Sequence, residues 1–301
     1  MGRGRCKIHT TGPSRYNGGM VEGVVDTARY PLDAPGSPGW HALVDRVRGD
    51  LRRAGCSVLA DFVDPSVHET LRREGDEIAR WTHDEVEVVN AYNIAPDAPL
   101  PADHPGRIPL ERGNGFVARD RIPADFVIHR LYTSPLVQRF VAACLDLPAV
   151  HPLADPLAGL CLNVIPPGRA HPWHFDTNEF SVSILTRPAS EGGVFEYCPN
   201  IRSAGAENLA DVRAVLTGSG DALVRRLNLR PGDLQLFTGR FSLHRVTTVG
   251  GSTARHTAIL AYSERPGVVG SIARTQQLFG RVLPEHRAAE RHRVRGDRLL
   301  D

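Results

Sequence analysis

Lysine is nearly absent from this sequence: of the 36 lysines and arginines, Lys7 is the single lysine and all the others are arginines. The 34 acidic residues offset this positive charge almost completely, so that the formal net charge is +2. Nucleic-acid-binding proteins and proteins that attach to anionic membranes use a large basic excess, which is lacking here. We therefore expect neither nucleic acid nor a membrane among the partners of this protein.

Cysteine is also scarce, and its spacing argues against two common kinds of site. The five cysteines are widely separated and form no Cys-x-x-Cys pair: Cys6, Cys56, Cys144, Cys161 and Cys198. Neither a zinc ribbon nor a thioredoxin-like redox motif is therefore predicted. An odd and dispersed set is typical of reduced thiols in the cytoplasm, which is the location we expect.

Long apolar runs are missing as well. No segment approaches the roughly 20 apolar residues that a membrane helix requires. The basic stretch at the N-terminus is not followed by the apolar core of a secretory signal. We expect residues 1–36, which are rich in Gly, Pro and Arg, to form a flexible tail. Residues 37–301 are then expected to form a single domain.

Short apolar segments dominate the second half of the chain. They have the length of strands and are separated by Gly and Pro: 160–165, 180–185, 194–197, 223–229, 234–237, 245–249 and 257–262. Helical periodicity precedes them, as in residues 40–53, and a charged helical segment follows Ser271. Many short strands with turn signals between them favour a sandwich or a barrel. We predict an α+β, mainly β fold: a double-stranded β-helix (jelly roll, cupin-like) over about residues 157–265, with flanking N- and C-terminal helices.

The segment His171-Pro-Trp-His174-Phe-Asp176 is the first candidate for chemistry. Because side chains i and i+2 of a strand share a face, His174 and Asp176 project together. They supply two of the three ligands of an iron(II) facial triad, which leaves positions open for a cosubstrate and oxygen. A third ligand must come from another strand, and His244 follows the turn at 230–233 and the strand at 234–237. Two alternatives stay open: a buried polar cluster, and a zinc site that would use His171 and His174.

A second pair of residues makes the iron interpretation more specific. Arg255 lies eleven residues after His244, and Thr257 shares its strand face. A guanidinium matches a carboxylate through two hydrogen bonds, and a neighbouring hydroxyl donates another. This pair therefore suits the distal carboxylate of 2-oxoglutarate, although a surface strand arginine and a threonine chosen for strand propensity are the alternatives. The sequence has no P-loop, dinucleotide fingerprint or nucleophile elbow that would favour another enzyme class.

The order and spacing of His174-x-Asp176, His244 and Arg255-x-Thr257 resemble the iron(II)/2-oxoglutarate-dependent dioxygenase superfamily over roughly residues 160–265. The segment HPWHFDTNEFSVSILTRPASEGGVFEY is similar to the subgroup of free-amino-acid hydroxylases and halogenases. Residues 277–281 and 284–286 also resemble that subgroup.

The resemblance implies iron(II), 2-oxoglutarate as cosubstrate and O2. It implies that His174, Asp176 and His244 are both the catalytic and the metal-binding residues, and that Arg255 and Thr257 bind the cosubstrate. Halogenating members replace the carboxylate ligand by a small residue that admits chloride. Because Asp176 is present, the resemblance implies hydroxylation of an unactivated C–H bond, with succinate and CO2 as products.

Five further residues are candidates for contacts with cosubstrate or substrate. Asn163, on the strand before the motif, faces either the cosubstrate or the core. His171 is a substrate ligand at the pocket rim or an ordinary loop histidine. Arg112 is a substrate carboxylate clamp on the strength of the resemblance and of the glycines beside it, or a solvated arginine. Thr177 and Asn178 follow the ligand pair and are expected to line the pocket.

We therefore predict an enzyme that hydroxylates a free amino acid or a similar small polar metabolite. Desaturation, cyclisation or epimerisation would follow from the same iron chemistry, and the sequence does not separate them. An alternative of another class is a non-catalytic protein that binds metal or 2-oxoglutarate. A third is an enzyme that modifies a protein-bound residue. A homodimer is left open.

Overall fold

The computed structural model of this protein describes residues 21, 23–95, 97–289 and 299. Most of the predicted tail, residues 1–20 and 22, lies outside the described residues. The remainder of it is packed: Val24, Val25, Tyr30 and Leu32 are buried, and Val25 forms a β-bridge with Val63. The packed chain therefore begins before residue 37, because these apolar side chains join the main core.

Seven helices flank the sheets in the described part of the chain. Their bounds are α1 Pro38–Ala54, α2 His68–Ala79, α3 Val127–Thr133, α4 Pro135–Cys144, α5 Leu209–Leu216, α6 Ile272–Phe279 and α7 Pro284–Ala289. Short 3-10 turns occur at Pro65–Val67, Pro105–Arg107, Arg119–Arg121 and Asp221–Leu223.

The predicted helix at 40–53 is confirmed as α1, and local signals explain both of its ends. The Ser37 hydroxyl accepts a hydrogen bond from the Trp40 amide, and Pro38 occupies the first turn. Gly55 ends the helix in the left-handed conformation, with φ 64°, and its amide binds the Leu51 carbonyl.

The part of the chain that the structure describes contains sixteen strands. Their bounds are β1 Cys56–Leu59, β2 Glu87–Val89, β3 Leu110–Arg112, β4 Gly115–Val117, β5 His151–Pro152, β6 Leu160–Ile165, β7 His171–His174, β8 Ser181–Arg187, β9 Glu191–Gly192, β10 Phe195–Cys198, β11 Arg225–Leu227, β12 Leu234–Phe237, β13 Leu243–Val246, β14 Val249–Gly250, β15 Arg255–Leu260 and β16 Tyr262–Ser263.

Two antiparallel sheets form the centre of the fold. The larger has the order β1-β12-β8-β15-β6-β4, and the smaller has the order β11-β10-β13-β7. Neighbouring strands within each sheet come from distant parts of the sequence, as a double-stranded β-helix requires. The predicted α+β fold with a β-helix core and helices at both ends is therefore confirmed.

The tight turn predicted between residues 230 and 233 is also present. Gly232 has φ 83°, which a residue with a side chain rarely adopts. The Asp233 carboxylate accepts a hydrogen bond from the Arg230 amide at 2.8 Å. The turn leads directly into β12, which lies between β1 and β8 in the larger sheet.

Strand alternation divides the larger sheet into two different faces. On β15, Ala258 and Leu260 belong to the main hydrophobic core, whereas Thr257 and Ile259 line a cavity. On β6, Leu162 belongs to the core, whereas Asn163 lines the same cavity. Helices α1 and α4 cover the core face with apolar side chains. The opposite face is thereby left to the cavity, which the smaller sheet lines from its other side.

Within the described ranges, no helix combines the length and the apolar character that crossing a membrane requires.

Candidate active site

Two histidines from neighbouring strands meet at one end of the cavity. His174 on β7 pairs directly with His244 on β13, and their ring centroids are 4.0 Å apart. The Nδ1 atom of His174 lies 2.8 Å from the Pro172 carbonyl, and that of His244 lies 2.9 Å from the Ser242 carbonyl. Because a carbonyl only accepts, both Nδ1 atoms carry the proton and donate it. Each Nε2 atom is therefore left with a free lone pair, as a metal ligand requires.

Asp176 brings a carboxylate to the two Nε2 atoms. Its Oδ1 atom lies 3.8 Å from Nε2 of His174 and 3.5 Å from Nε2 of His244. Burial acts to raise the pKa of Asp176, but its histidine neighbours, His244 foremost, hold it at about 2. The side chain is thus an anion at neutral pH. Burial also keeps His174 neutral, since it lowers the pKa of that ring well below the ordinary range.

The backbone fixes this carboxylate in place. The Asp176 amide donates a hydrogen bond to the Gly239 carbonyl at 3.1 Å. A Cβ atom on Gly239 would lie 2.6 Å from Cγ of Asp176, closer than real Cβ atoms approach. Glycine is therefore required at residue 239 for Asp176 to face the histidines.

The three ligand atoms suit a single metal ion. They all lie within 4.8 Å of one another, and they form the candidate metal-binding group found among the described residues. Nitrogen and oxygen ligands lie roughly 2.0–2.2 Å from a divalent first-row metal, so two ligands of one ion lie up to about 4.4 Å apart. The Asp176 oxygen is within this distance of both Nε2 atoms. Two neutral imidazoles and one carboxylate are the donor set of iron(II) oxygenases, in which the remaining positions are open.

His171 does not complete a zinc site with His174. The two rings are stacked, with centroids 3.9 Å apart and an angle of 18° between their planes. Stacked rings present their faces to each other, whereas metal binding requires that ring nitrogen atoms converge. His171 lines the cavity beside the candidate metal site, consistent with the rim position predicted for it.

Arg255 and Thr257 lie together on the cavity face of β15. Nη1 of Arg255 donates a hydrogen bond to Oγ1 of Thr257 at 2.5 Å, and both residues are buried. Arg255 has no ion-pair partner in the described part of the chain, and burial lowers its pKa to about 10. A buried guanidinium without a carboxylate is costly unless a ligand supplies the anion. This pair therefore fits a carboxylate such as the distal one of 2-oxoglutarate.

The cavity between the two sheets has a volume of about 260 Å3. Of the residues predicted for the site, nine line it: Asn163, His171, His174, Asp176, Thr177, Asn178, His244, Arg255 and Thr257. Asn163 lies opposite Thr257 in the strand register, and its amide group donates a weak hydrogen bond to the Gly115 carbonyl at 3.4 Å. Asn163 thus reaches the cavity face and not the core.

Arg112 is the predicted residue that does not line the cavity. It lies opposite Glu87 in the pairing of β3 with β2, and Nη2 is 2.7 Å from Oε2 of Glu87. The same nitrogen is 3.3 Å from the Gln277 carbonyl. Its charge therefore has a partner within the protein. The sequence did not reveal this pair, because 25 residues separate Arg112 from Glu87.

Sequence reasoning missed Arg274, which lines the cavity from the first turn of α6. It also missed the apolar residues that complete the wall, among them Phe116, Leu278 and Phe279. A signal was available: Arg274 and Leu278 are four residues apart and therefore lie on one helix face.

Comparison with known proteins places this site in a family. A family model described as "Halogenase D" matches residues 111–277, more than half of the chain, including the candidate metal and cosubstrate residues. A comparison with curated proteins gives no significant match.

Solved structures share the fold at low sequence identity, and 416 chains match significantly. The carbocyclase SnoK from nogalamycin biosynthesis, described as non-heme and alpha ketoglutarate dependent, is 12% identical with a TM-score of 0.50, over 76% of this chain and 89% of that one. An oxidoreductase of the 2OG-Fe(II) oxygenase family from Burkholderia pseudomallei is 17% identical with a TM-score of 0.46, over 75% of this chain and 92% of that one. A prolyl-4-hydroxylase from Pseudomonas putida is 15% identical with a TM-score of 0.46, over 74% and 99%.

The resemblance found in the sequence is therefore confirmed at the level of the family. In this chain His174, Asp176 and His244 converge, and the family match covers more than half of its length. The chain therefore belongs to the Halogenase D family of the iron(II)/2-oxoglutarate-dependent oxygenases.

Proposed function

We propose that this protein hydroxylates an unactivated C–H bond of a free amino acid or a similar small polar metabolite, with iron(II) held by His174, Asp176 and His244. The observation that carries this proposal is the position of the Asp176 carboxylate, 3.5 and 3.8 Å from the two Nε2 atoms. When bound, iron and 2-oxoglutarate supply oxidation by O2, with release of succinate and CO2.

The residues of the chain have separate tasks in this proposal. The rings of His174 and His244 turn their Nε2 atoms to the metal site because their Nδ1 atoms are held by backbone carbonyls. Asp176 adds one negative charge on the same side. Arg255, supported by Thr257, would hold the distal carboxylate of 2-oxoglutarate. The enclosing sheets exclude water from the reacting centre.

Hydroxylation is favoured over halogenation by the number of ligand positions. An octahedral metal has about six positions. His174, Asp176 and His244 would hold three of them, and the keto acid and oxygen would need the other three. No position remains for a halide while the Asp176 carboxylate faces the histidines. The family name alone would favour halogenation, and the second candidate function is therefore chlorination of the same substrate.

A small substrate is favoured by the size of the cavity. Its volume of about 260 Å3 is close to the lower end of the roughly 300–1,000 Å3 of small-molecule sites, and it has to hold the cosubstrate as well. A tethered protein side chain would need an open groove. Desaturation, cyclisation and epimerisation remain outcomes of the same hydrogen removal, and product analysis separates them.

Anaerobic titration with iron(II) and 2-oxoglutarate tests the proposal first. We expect a weak visible charge-transfer band, and then succinate when oxygen and a panel of free amino acids are added. His174→Ala and Asp176→Ala should abolish succinate formation, because each removes one of three ligands. His41→Ala, at an exposed position of α1, is the matched control and should retain it.

Three results would contradict the proposal. Succinate formed by both ligand variants would exclude this metal site. Chlorinated product from the unmodified protein in chloride would favour the halogenase alternative. Iron and 2-oxoglutarate binding without CO2 release, with or without any substrate, would favour the non-catalytic binding protein.

A further inference from the structure

Arg274 is a second guanidinium that faces the cavity without a carboxylate of its own. It lies in the first turn of α6, which begins after the capping residue Ser271. Its Nη1 atom donates hydrogen bonds to Oδ1 of Asn93 at 3.2 Å and to Oε1 of Gln277 at 2.5 Å. These neutral amides orient the guanidinium, but they do not neutralise it. No ion pair joins Arg274 to any other described residue, and burial lowers its pKa to about 10.

Iron(II), 2-oxoglutarate, Asp176 and Arg255 would balance one another and leave the charge of Arg274 unbalanced. The two positive charges of iron(II) and the one of Arg255 are matched by two negative charges of 2-oxoglutarate and the one of Asp176. Glu87 is already paired with Arg112 at 2.7 Å. Arg274 is thus the charged group of the cavity wall for which neither the protein nor the cosubstrate supplies a counter-charge. A carboxylate group on a bound ligand would supply it.

The rest of helix α6 defines what this anion is attached to. Leu278 lies four residues after Arg274, on the same face of the helix and about 6 Å along its axis. Leu278 and Phe279 line the cavity, and Phe116, Cys161 and Ile259 pack with them in one apolar cluster. The cavity therefore has a cationic end and an apolar end, separated by about one helical turn.

Carboxylates are scarce in this wall. Among the described residues that line the cavity, Asp176 is the one acidic side chain, and the proposed metal uses it. A substrate with a cationic side chain would find no counter-charge at the apolar end. Burying an unpaired ammonium there would be costly.

We propose that Arg274 is the specificity-determining residue that binds the carboxylate of the substrate, and that the substrate is a free amino acid with an uncharged, apolar side chain. This inference rests on the proposed function and makes its substrate class narrower. The carboxylate pairs with Arg274, and the side chain lies along α6 against Leu278, Phe279 and Phe116.

Calorimetric binding to the anaerobic protein loaded with iron(II) and 2-oxoglutarate tests this inference without turnover. The probes at pH 7 are L-leucine, L-isoleucine, L-phenylalanine, L-leucinamide and L-lysine. We expect one or more of the three apolar amino acids to bind, and L-leucinamide to bind about 10- to 100-fold more weakly than L-leucine, because it lacks the charged partner of Arg274. L-lysine should bind more weakly than the apolar amino acids.

Arg274→Gln should remove the difference in affinity between L-leucine and L-leucinamide, whereas Arg274→Lys should keep part of it. The matched control is Arg281→Gln, which removes an exposed arginine that pairs with Asp120 and should keep the full difference. Arg274→Gln should still give the charge-transfer band, because Arg255 and the metal ligands are unchanged. The comparison of the two leucine probes on the unmodified protein stands even if Arg274→Gln does not fold.

The outcomes separate this inference from the proposed function. No charge-transfer band in the unmodified protein contradicts the proposed function itself. A normal band contradicts only the inference in three cases: when no apolar amino acid binds, when L-leucinamide binds as tightly as L-leucine, or when Arg274→Gln still discriminates between them. Tighter binding of L-lysine than of the apolar amino acids would also overturn it.

Discussion

The buried arginines of this protein show how one residue type takes different roles. The guanidinium of Arg202 is 3.1 Å from the Glu207 carboxylate and lies over the ring of Phe175, with its carbon atom 3.7 Å from the ring centroid. Arg112 has its partner in Glu87. Arg255 is buried and Arg274 is half-buried against the cavity, and neither has such a carboxylate. Burial alone therefore does not identify a binding arginine, whereas burial with an unsatisfied charge does.

Gly239 gives a prediction about the position of a single carboxylate. In Gly239→Ala, the new Cβ atom would overlap Asp176 and force its side chain away from the two histidines. We expect iron(II) affinity to fall by about 10- to 100-fold, the range for outer residues that orient metal ligands. The loss should be measured by anaerobic calorimetry, and circular dichroism should show an unchanged fold.

The control for this substitution is Gly205→Ala, where a Cβ atom would meet no other atom within 4 Å. Iron(II) affinity should be unaffected in this variant. Equal affinity of Gly239→Ala and the unmodified protein would show that Asp176 does not need its observed position to bind metal.

At the scale of elements, the two faces of β15 contact different parts of the molecule. Arg255 and Thr257 face the cavity, while His256 between them faces α2. The Nδ1 atom of His256 is 3.7 Å from Oδ1 of Asp76, and a Cβ atom on Gly75 would lie 3.4 Å from it. The helix thus covers the ring, and His256 is 1% exposed.

This burial predicts a pH-dependent contribution to stability. Desolvation, assisted by the charge of Arg187, lowers the pKa of His256 from 6.5 to about 4, against the opposing effect of Asp76. Between these two values the unfolded chain binds a proton at His256 that the folded protein does not bind. The free energy of unfolding should therefore fall as the pH decreases from about 6.5 to about 4, by up to about 3 kcal/mol from this residue.

Urea unfolding of His256→Asn and the unmodified protein across this pH range measures that contribution. The variant should lose less stability on acidification, because its neutral side chain binds no proton in either state. His256→Gln tests whether the result depends on the replacement chosen. Parallel stability curves for all three proteins would contradict the neutral, buried state of His256.

On the scale of the whole molecule, the reactivity of the cysteine thiols measures how well the folded protein shields them from solvent. The four cysteines among the described residues are all buried: Cys56, Cys144, Cys161 and Cys198. Burial raises the pKa of Cys56, Cys161 and Cys198 to about 12, and that of Cys144 is raised as well. The thiolate is the reactive form, so these residues should be inert in the folded protein.

We predict that a Cys6→Ser variant reacts with iodoacetamide only at the rate at which it unfolds. Iron(II) and 2-oxoglutarate should slow this reaction further, because ligands that bind the folded state stabilise it by about 2.7 kcal/mol at a hundred times their dissociation constant. Mass spectrometry of the labelled peptides measures each cysteine separately. Rapid labelling of any of the four under native conditions would contradict the closed structure.

The sequence by itself determined the features that depend on local geometry. Strand alternation placed His174 and Asp176 on one face, because successive side chains of a strand point to opposite sides over a few residues. The same rule placed Arg255 and Thr257 together. The number and spacing of short strands indicated the β-helix, and the spacing of the motif indicated the family.

Only the tertiary structure decided which charges find partners. Arg112 was predicted to bind substrate, and the pairing of β2 with β3 gives its charge a partner in Glu87. Sequence reasoning did not identify a role for Arg274, which lines the cavity because α6 packs beside it. Periodicity reports only which face of its own element a residue occupies, whereas the partner of a charge depends on contacts between residues far apart in the sequence. Those contacts arise when the sheets and helices pack, which is why the candidate metal ligands were visible in the sequence and the proposed substrate site was not.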